Sequence, residues 1–245
     1  MKSFYLCIIS LFLLYSCSET SELTAEEEQY LSSSPYSNKL ADSINELLPH
    51  NPANSYDYVG QLHYELYQDY YTQLEDSLAL AQVSTRIEML ANRHVKFSSY
   101  FGTNYSFTQL GGFVSLLSCE FSCVETVLSN SSLSIVAKEK MKIFFSDFDV
   151  LFEKSITSDA LLQYIFLFEE EVIQSPDFTT FDKSVILSTT SIARFSTYES
   201  KRRPKKNSDP EWDSLITNLL GTIVGAEHSI ADGIVASLIC GIQSN

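Results

Sequence analysis

The chain has 245 residues, with 16 Lys and Arg against 31 Asp and Glu, a formal charge of −15. Apolar residues make up 44% and aromatics 13%, enough to fill a core, which excludes disorder as the overall state. An acidic balance of this size repels a phosphate backbone and argues against a nucleic-acid partner.

Lys2 precedes an apolar run over residues 4–15. Twelve residues are too few for a hydrocarbon core of about 30 Å, which needs about 20, and they fit a cleaved secretory signal. The run closes on Leu14-Tyr15-Ser16-Cys17, which resembles the lipobox of bacterial lipoproteins, with Tyr15 bulkier than usual at its position. The resemblance implies cleavage before Cys17, acylation of Cys17 and attachment to a membrane through lipid. The other reading is an ordinary secretory signal that happens to contain Cys17. Each buried CH₂ contributes only about 0.8 kcal/mol, so permanence needs several chains. Ser18 rather than Asp follows Cys17, as in outer-membrane sorting, and Glu19 and Glu22 resemble, without continuity, the acidic surface-export signal of Bacteroidota lipoproteins. The expected division is a signal peptide over 1–16, a lipidated tether over 17–23, a helical body over 24–200, a basic linker over 201–210 and a small-residue segment over 211–245.

Thr24-Ala25-Glu26-Glu27 has capping-box spacing. Pro35 opens a second helical pattern through Leu40, Ile44, Leu47 and Leu48, closed by Pro49 and Pro52. Asn54 or Ser55 then caps a helix with the apolar stripe Val59, Leu62, Leu66 and Tyr70. A further helix over about 77–97 carries Leu80, Val83, Ile87 and Leu90, and residues 101–104 read as a turn around Gly102. Helical spacing recurs over about 106–128, 133–153, 158–174 and 179–198. In the last segment Phe181, Val185, Ile186, Ile192 and Phe195 are expected to face inward, while Ser and Thr at 188–191 weaken the helix. No period-two alternation flanked by hairpin turns is present, so the fold class is all-α: a bundle of about six to eight helices, ending in a small-residue helix or helical hairpin. Cys119, Cys123 and Cys240 read as small buried hydrophobes, although an exported location also permits a disulfide between the first two.

Lys201-Arg202-Arg203-Pro204-Lys205-Lys206 reads as a solvated linker, with attraction to anionic headgroups or protease cleavage as the functional alternatives. Beyond it, every fourth residue is small: Thr217, Gly221, Gly225, Ser229, Gly233, Ser237 and Gly241. This spacing lets helix backbones approach closely, either within the chain or against a neighbour. Glu227, His228 and Asp232 interrupt the stretch, and each acid costs about 2.5–3.5 kcal/mol at the centre of a membrane helix. Pairing of His228 with Asp232 softens that penalty. A turn at Asp232-Gly233 makes the segment a hairpin. A packed helix or hairpin is one reading, and an oligomer inserted in the membrane the other.

The richest polar stretch runs from Asn54 to Glu65. Asp57, Gly60 and Tyr64 share a helical face, whereas His63 and Glu65 do not form an H-E-x-x-H pair. Gly60 costs a helix about 1 kcal/mol against Ala, so it implies close contact. Asp57 suits a helix start. His63 reads as a partly buried histidine bonded to a carboxylate or to backbone. Residues 54–64 resemble an N-P-Y-D-x-x-G-x-x-H-N motif in a group of uncharacterised exported bacterial proteins, many from Bacteroidota; Asn54, Tyr56, Asp57, Gly60 and His63 match, while Ser55 and Tyr64 depart from it. Ser191-Ile192-Ala193-Arg194-Phe195-Ser196 is similar to a second stretch of that group, Ser-x-Ala-Arg-x-Ser, and the group also ends in a Gly/Ala-rich tail. The resemblance brings no activity with it. An acid and an arginine, each in an otherwise apolar helix, lead us to expect an ion pair between Asp57 and Arg194, with His63 nearby. Three functions follow as expectations: a lipid-anchored, non-catalytic interaction or envelope protein; a membrane-active or self-associating protein acting through the tail; and a metal-dependent hydrolase using His50, His63 and His94. Neither a cofactor nor a metal is expected under the first.

Overall fold

The computed structural model describes residues 48–72, 78–108, 123–153, 157–202 and 211–244. Cys17, the signal and tether, the Thr24 capping box, the Leu40–Leu47 pattern, Cys119 and most of the basic run lie outside the described residues. Among the described residues the chain is all-α: α1 (Asp57–Tyr71), α2 (Leu80–Arg93), α3 (Val95–Phe101), α4 (Val124–Asn130), α5 (Ile135–Glu153), α6 (Ser158–Gln174), α7 (Thr180–Arg202), α8 (Glu211–Ala226) and α9 (Ile230–Gln243).

The core gathers around α7. Helices α1, α5, α6, α8 and α9 all pack on it, and every residue from Val185 to Phe195 is buried. Asn54 meets Leu187, Asp57 meets Ser191 and Arg194, and Gln68 meets Glu199, so α1 runs parallel to α7. Glu169 meets Arg194 and Ile173 meets Lys183, so α6 runs antiparallel to it. The hydroxyls at 188–191 do not interrupt α7. Thr189 bonds back to the Val185 carbonyl at 2.8 Å, and Thr190 and Ser191 find partners on α6 and α1. Enclosure by other helices supplies what the isolated sequence withholds. The helix also continues to Arg202, so the expected linker loses its first two residues to a helical C-terminus, where cations suit the dipole. Phe181, expected inside, is 37% exposed in the first turn of α7.

Val59, Leu62, Leu66 and Tyr70 form the buried stripe of α1 as spaced. Neither Asn54 nor Ser55 is its N-cap. Tyr56 holds that position without a side-chain bond, while Asn54 Oδ1 accepts the Tyr56 N–H at 2.8 Å in an Asx turn just before it. The expected helix over 77–97 breaks at His94, whose backbone is extended and whose Nδ1 accepts the Phe97 N–H to start α3. Residues 104–108 are not helical, because their backbone is taken by side chains of α2. Asn92 bonds both the N–H and the carbonyl of Tyr105, and Glu88 accepts the Phe107 N–H.

The C-terminal segment is a hairpin of two antiparallel helices. Its turn falls at residues 227–229, where the Ser229 hydroxyl caps α9 by accepting the Asp232 N–H at 3.0 Å, and not at Asp232-Gly233. Asp232 pairs with Tyr105 rather than His228, accepting the phenol hydroxyl at 2.6 Å. Burial and this carboxylate together hold the Tyr105 hydroxyl far above its usual range. Among the described residues no helix is long and apolar enough to cross a membrane. Cys240 is a buried free thiol pushed by burial up to about 12, as expected of a small hydrophobe. Cys123 departs from that expectation: it is disulfide-bonded, to a cysteine outside the described residues.

Candidate functional site

The most polar place in the core lies where the loop before α1 meets α6 and α7. Arg194 is fully buried. Its Nη2 donates to Asp57 Oδ1 at 2.7 Å and its Nε to Glu169 Oε1 at 3.1 Å, so the pairing of Asp57 with Arg194 is made and a second carboxylate joins it. Two carboxylates against one guanidinium leave an excess of negative charge, which neutral donors offset. Asn54 Nδ2 and Thr190 Oγ1 donate to Glu169 Oε1 at 2.8 and 2.7 Å, and Asn51 Nδ2 donates to Oε2 at 2.6 Å. Asp57 Oδ1 also accepts the Asn51 N–H at 2.9 Å, and Oδ2 lies 3.0 Å from His50 Nδ1. The rings of Phe166 and Phe195 lie 5.5 and 5.9 Å from the guanidinium carbon, adding cation–π attraction.

Gly60 stands beside this network. It is the fourth residue of α1, and the Tyr56 carbonyl that its N–H would ordinarily meet accepts the Val59 N–H at 3.0 Å instead. Ser191 Oγ accepts the Gly60 N–H at 2.9 Å and donates at 2.9 Å to the Asp57 carbonyl, so one hydroxyl closes the first turn of α1. A Cβ on Gly60 would run into the Ser191 carbonyl. The glycine is there for close approach.

His63 is placed differently from the expectation. It is 3% exposed, and its Nε2 has no hydrogen-bond partner. Among the described residues no carboxylate or backbone group is bonded to it; the Tyr67 ring stacks near it, with centroids 6.4 Å apart. Burial alone lowers its pKa from 6.5 to about 3, so the imidazole is neutral. Asp57, Gly60 and Arg194 therefore form one unit and His63 stands apart from their bonds.

The chain matches no family model, no curated protein and no solved structure.

The three histidines of the hydrolase expectation do not converge. His50 sits on Asp57 with its ring edge-on to Phe195. His94 accepts the Phe97 N–H on Nδ1, which places its proton on Nε2, 3.2 Å from Glu65 Oε2. Lys96 and Gln61 also reach Glu65. Among the described residues no three His, Cys, Asp or Glu side chains are grouped to hold a metal ion.

The small-residue row is spent within the hairpin. A Cβ on Gly225 would strike the Asp232 carbonyl, one on Gly221 would lie 2.9 Å from the Ala236 oxygen, and one on Gly241 would strike Asn218. Gly233 faces Ala226, and Ser237 is fully buried. Ser229 belongs to the turn and acts as a cap, not as a packing surface.

Glu169 is the principal residue that sequence reading missed. It lies in the acidic run Glu169-Glu170-Glu171, which reads as a solvated face. Its spacing from Leu162, Ile165 and Val172, all buried, nonetheless puts it on the inward side of α6. An acid in register with an apolar stripe is the signal that identifies it. Asn51 and Thr190 carry no comparable signal, because their roles depend on Glu169.

Proposed function

We propose that the chain is an exported lipoprotein, attached to the outer membrane through acylated Cys17, whose helical body has a non-catalytic interaction or envelope-structural role. The observation that carries the non-catalytic part is the Arg194 network. Its two carboxylates and the Nε and Nη2 of its guanidinium join the loop before α1 to α6 and α7. A substrate-binding acid or base keeps a face open to its reactant; Glu169 and Arg194 are fully buried and bonded to their own chain. The lipobox-like Leu14-Tyr15-Ser16-Cys17 supports the anchor. The disulfide at Cys123 supports an oxidising compartment. The resemblance of residues 54–64 to exported bacterial proteins agrees with that location.

Labelled palmitate supplied to cells making the chain tests the anchor. Incorporation into the wild type, its loss in Cys17→Ala and release of that variant from the envelope fraction are the expected results. A Cys17→Ala variant that still sediments with envelopes refutes it. Protease shaving of intact cells then assigns the body to the outer surface or to the inner face.

The alternatives receive less support from the geometry. The tail's glycines are taken up by contacts within the hairpin, and His50, His63 and His94 stand in three separate environments.

A further inference from the structure

Helix α5 is apolar on both of its sides. Its inner side, Ala137, Met141, Phe144, Phe145 and Phe148, is fully buried. Its outer side carries large aliphatics where a solvated helix carries charge: Ile135, Val136 and Ile143 are 81%, 50% and 52% exposed. The helical repeat puts these three on one stripe, with Glu139 between them. The Asp182 carboxylate accepts the Ser134 N–H at 2.8 Å, which brings the first turn of α7, with the exposed Phe181, against the start of this stripe. Lysines edge it. Lys138 and Lys140 fall on its two flanks and Lys142 on the stripe itself, the densest basic place among the described residues of a chain that carries −15. Their present partners are at the surface: Lys142 lies 2.8 Å from Glu125 and 3.1 Å from Glu139, Lys140 reaches Glu171, and Lys138 donates to the Ser129 carbonyl at 2.9 Å. Ion pairs this exposed are weak and exchange readily for another anion.

We propose that the outer stripe of α5, Ile135, Val136 and Ile143 edged by Lys138, Lys140 and Lys142, docks the helical body flat on an anionic bilayer surface. The proposal rests on the reading of Cys17 as a lipid anchor and adds which face of the body meets the membrane. The aliphatic side chains enter the headgroup region, and the lysines extend along it to place their ammonium groups at phosphate. The chain between Cys17 and Leu48, the first described residue, spans at most about 100 Å when extended. That reach lets any face turn to the membrane, so the anchor does not choose the face and the surface does. A face held near the bilayer by lipid needs only weak affinity of its own. An anionic leaflet repels an acidic body except where lysines meet it. The exposed Val95 of α3 is a poorer match, because its one neighbouring lysine, Lys96, is held by Glu65. A second copy is a poorer occupant than lipid, because it brings another −15 to the same interface.

The lipidated full chain in vesicles of phosphatidylethanolamine and phosphatidylglycerol tests the docking. A fluorophore is attached to Ile143→Cys or, for comparison, to Val95→Cys; both sites are exposed, Cys240 is buried and Cys123 is bonded, and the unsubstituted chain gives the background. Quenching by a nitroxide lipid in the bilayer is expected at 143 and not at 95. Vesicles of phosphatidylcholine alone, or salt at about 1 M, where the screening length is about 3 Å, are expected to remove most of it. Lys138→Gln and Lys142→Gln each weaken docking about five-fold. Equal quenching at the two sites in an anchored chain overturns the docking and leaves the anchor standing. Quenching at 143 that ignores salt and both lysine changes overturns the anionic surface as its partner. A chain with no lipid on Cys17 fails the anchor reading instead, and quenching at 143 when the same vesicles are added to it still decides the docking. A dimer that forms without vesicles and is split by Ile135→Asp gives the stripe to a second copy and overturns the proposal.

Discussion

Replacing Gly60 by Ala sets two opposite effects against each other at one atom. In an unconstrained helix interior Ala is favoured over Gly by about 1 kcal/mol. At residue 60 the added Cβ falls on the backbone carbonyl of Ser191 as well as on the Phe195 ring. A ring can rotate away, but a carbonyl inside a fully enclosed helix cannot, so α1 has to move off α7. Overpacking of this kind costs about 1–3 kcal/mol. The shift also stretches the two hydrogen bonds that Ser191 Oγ makes to Gly60 and Asp57, each worth about 1 kcal/mol net. The sum is a net loss of about 3 kcal/mol, or a Tm fall of about 6–12 °C for a chain of this size. Urea unfolding followed by helical circular dichroism measures it. Gly102→Ala isolates the other effect: that glycine has φ 89° and ψ 167° with nothing near its missing Cβ, so its cost is the backbone strain alone, about 1–3 kcal/mol. Pairing Gly60→Ala with Phe195→Ala separates the two contacts, and no rescue is expected. A Gly60→Ala chain as stable as the wild type refutes the close-approach argument.

Arg194→Met removes the positive member of the buried network and leaves Glu169 facing Asp57 with neutral donors only; a loss of about 3–5 kcal/mol is expected in the same denaturation assay. Arg194→Lys does not restore it, because one ammonium cannot reproduce a fork whose Nε and Nη2 bond different carboxylates. In the hairpin, Gly225→Ala pushes α9 off α8 at the Asp232 carbonyl and is expected to lower stability by about 1–3 kcal/mol, read from the urea midpoint.

Local periodicity carried much of the fold. The α1 stripe and the bounds of α6 follow from apolar spacing and from the polar separators at residues 155–158 and 175–177. Asp57 and Arg194 were legible as partners because each is an ionic residue in helical surroundings that give it no local neighbour. What was not legible depends on contacts distant in the chain. The non-helical course of residues 104–108 comes from Asn92 and Glu88 binding backbone 13 to 19 residues away. The hydroxyls of Thr190 and Ser191 look like helix weakeners until α6 and α1 supply their partners. His63 looked like a bonded histidine, and no spacing in the sequence tells that its Nε2 is buried without a partner.

The tail's two readings differ in where its small residues find their neighbours. A stripe that seeks a second protein needs its glycines on an open face. Here Gly221 and Gly225 meet the backbone of α9, Gly233 meets Ala226 and Gly241 meets Asn218. The opposite side of α9 is closed as well: Ile234, Val235, Leu238 and Ile239 are buried in the same core as Leu62, Leu66, Val83 and Ile87, and Gln243 bonds the Leu78 carbonyl ahead of α2. A helix apolar on every side is a core helix or a membrane span, and α9, with 14 residues, falls short of the about 20 that a span needs. The hairpin is therefore a wall of the bundle. Cutting the chain before α8 would expose the cores of α1, α2 and α7 rather than release a separable module, so loss of any membrane effect after such a cut would report unfolding. Point changes that keep the wall in place, Cys17→Ala for the anchor and Gly225→Ala for the seam, separate attachment from stability, and a truncation does not.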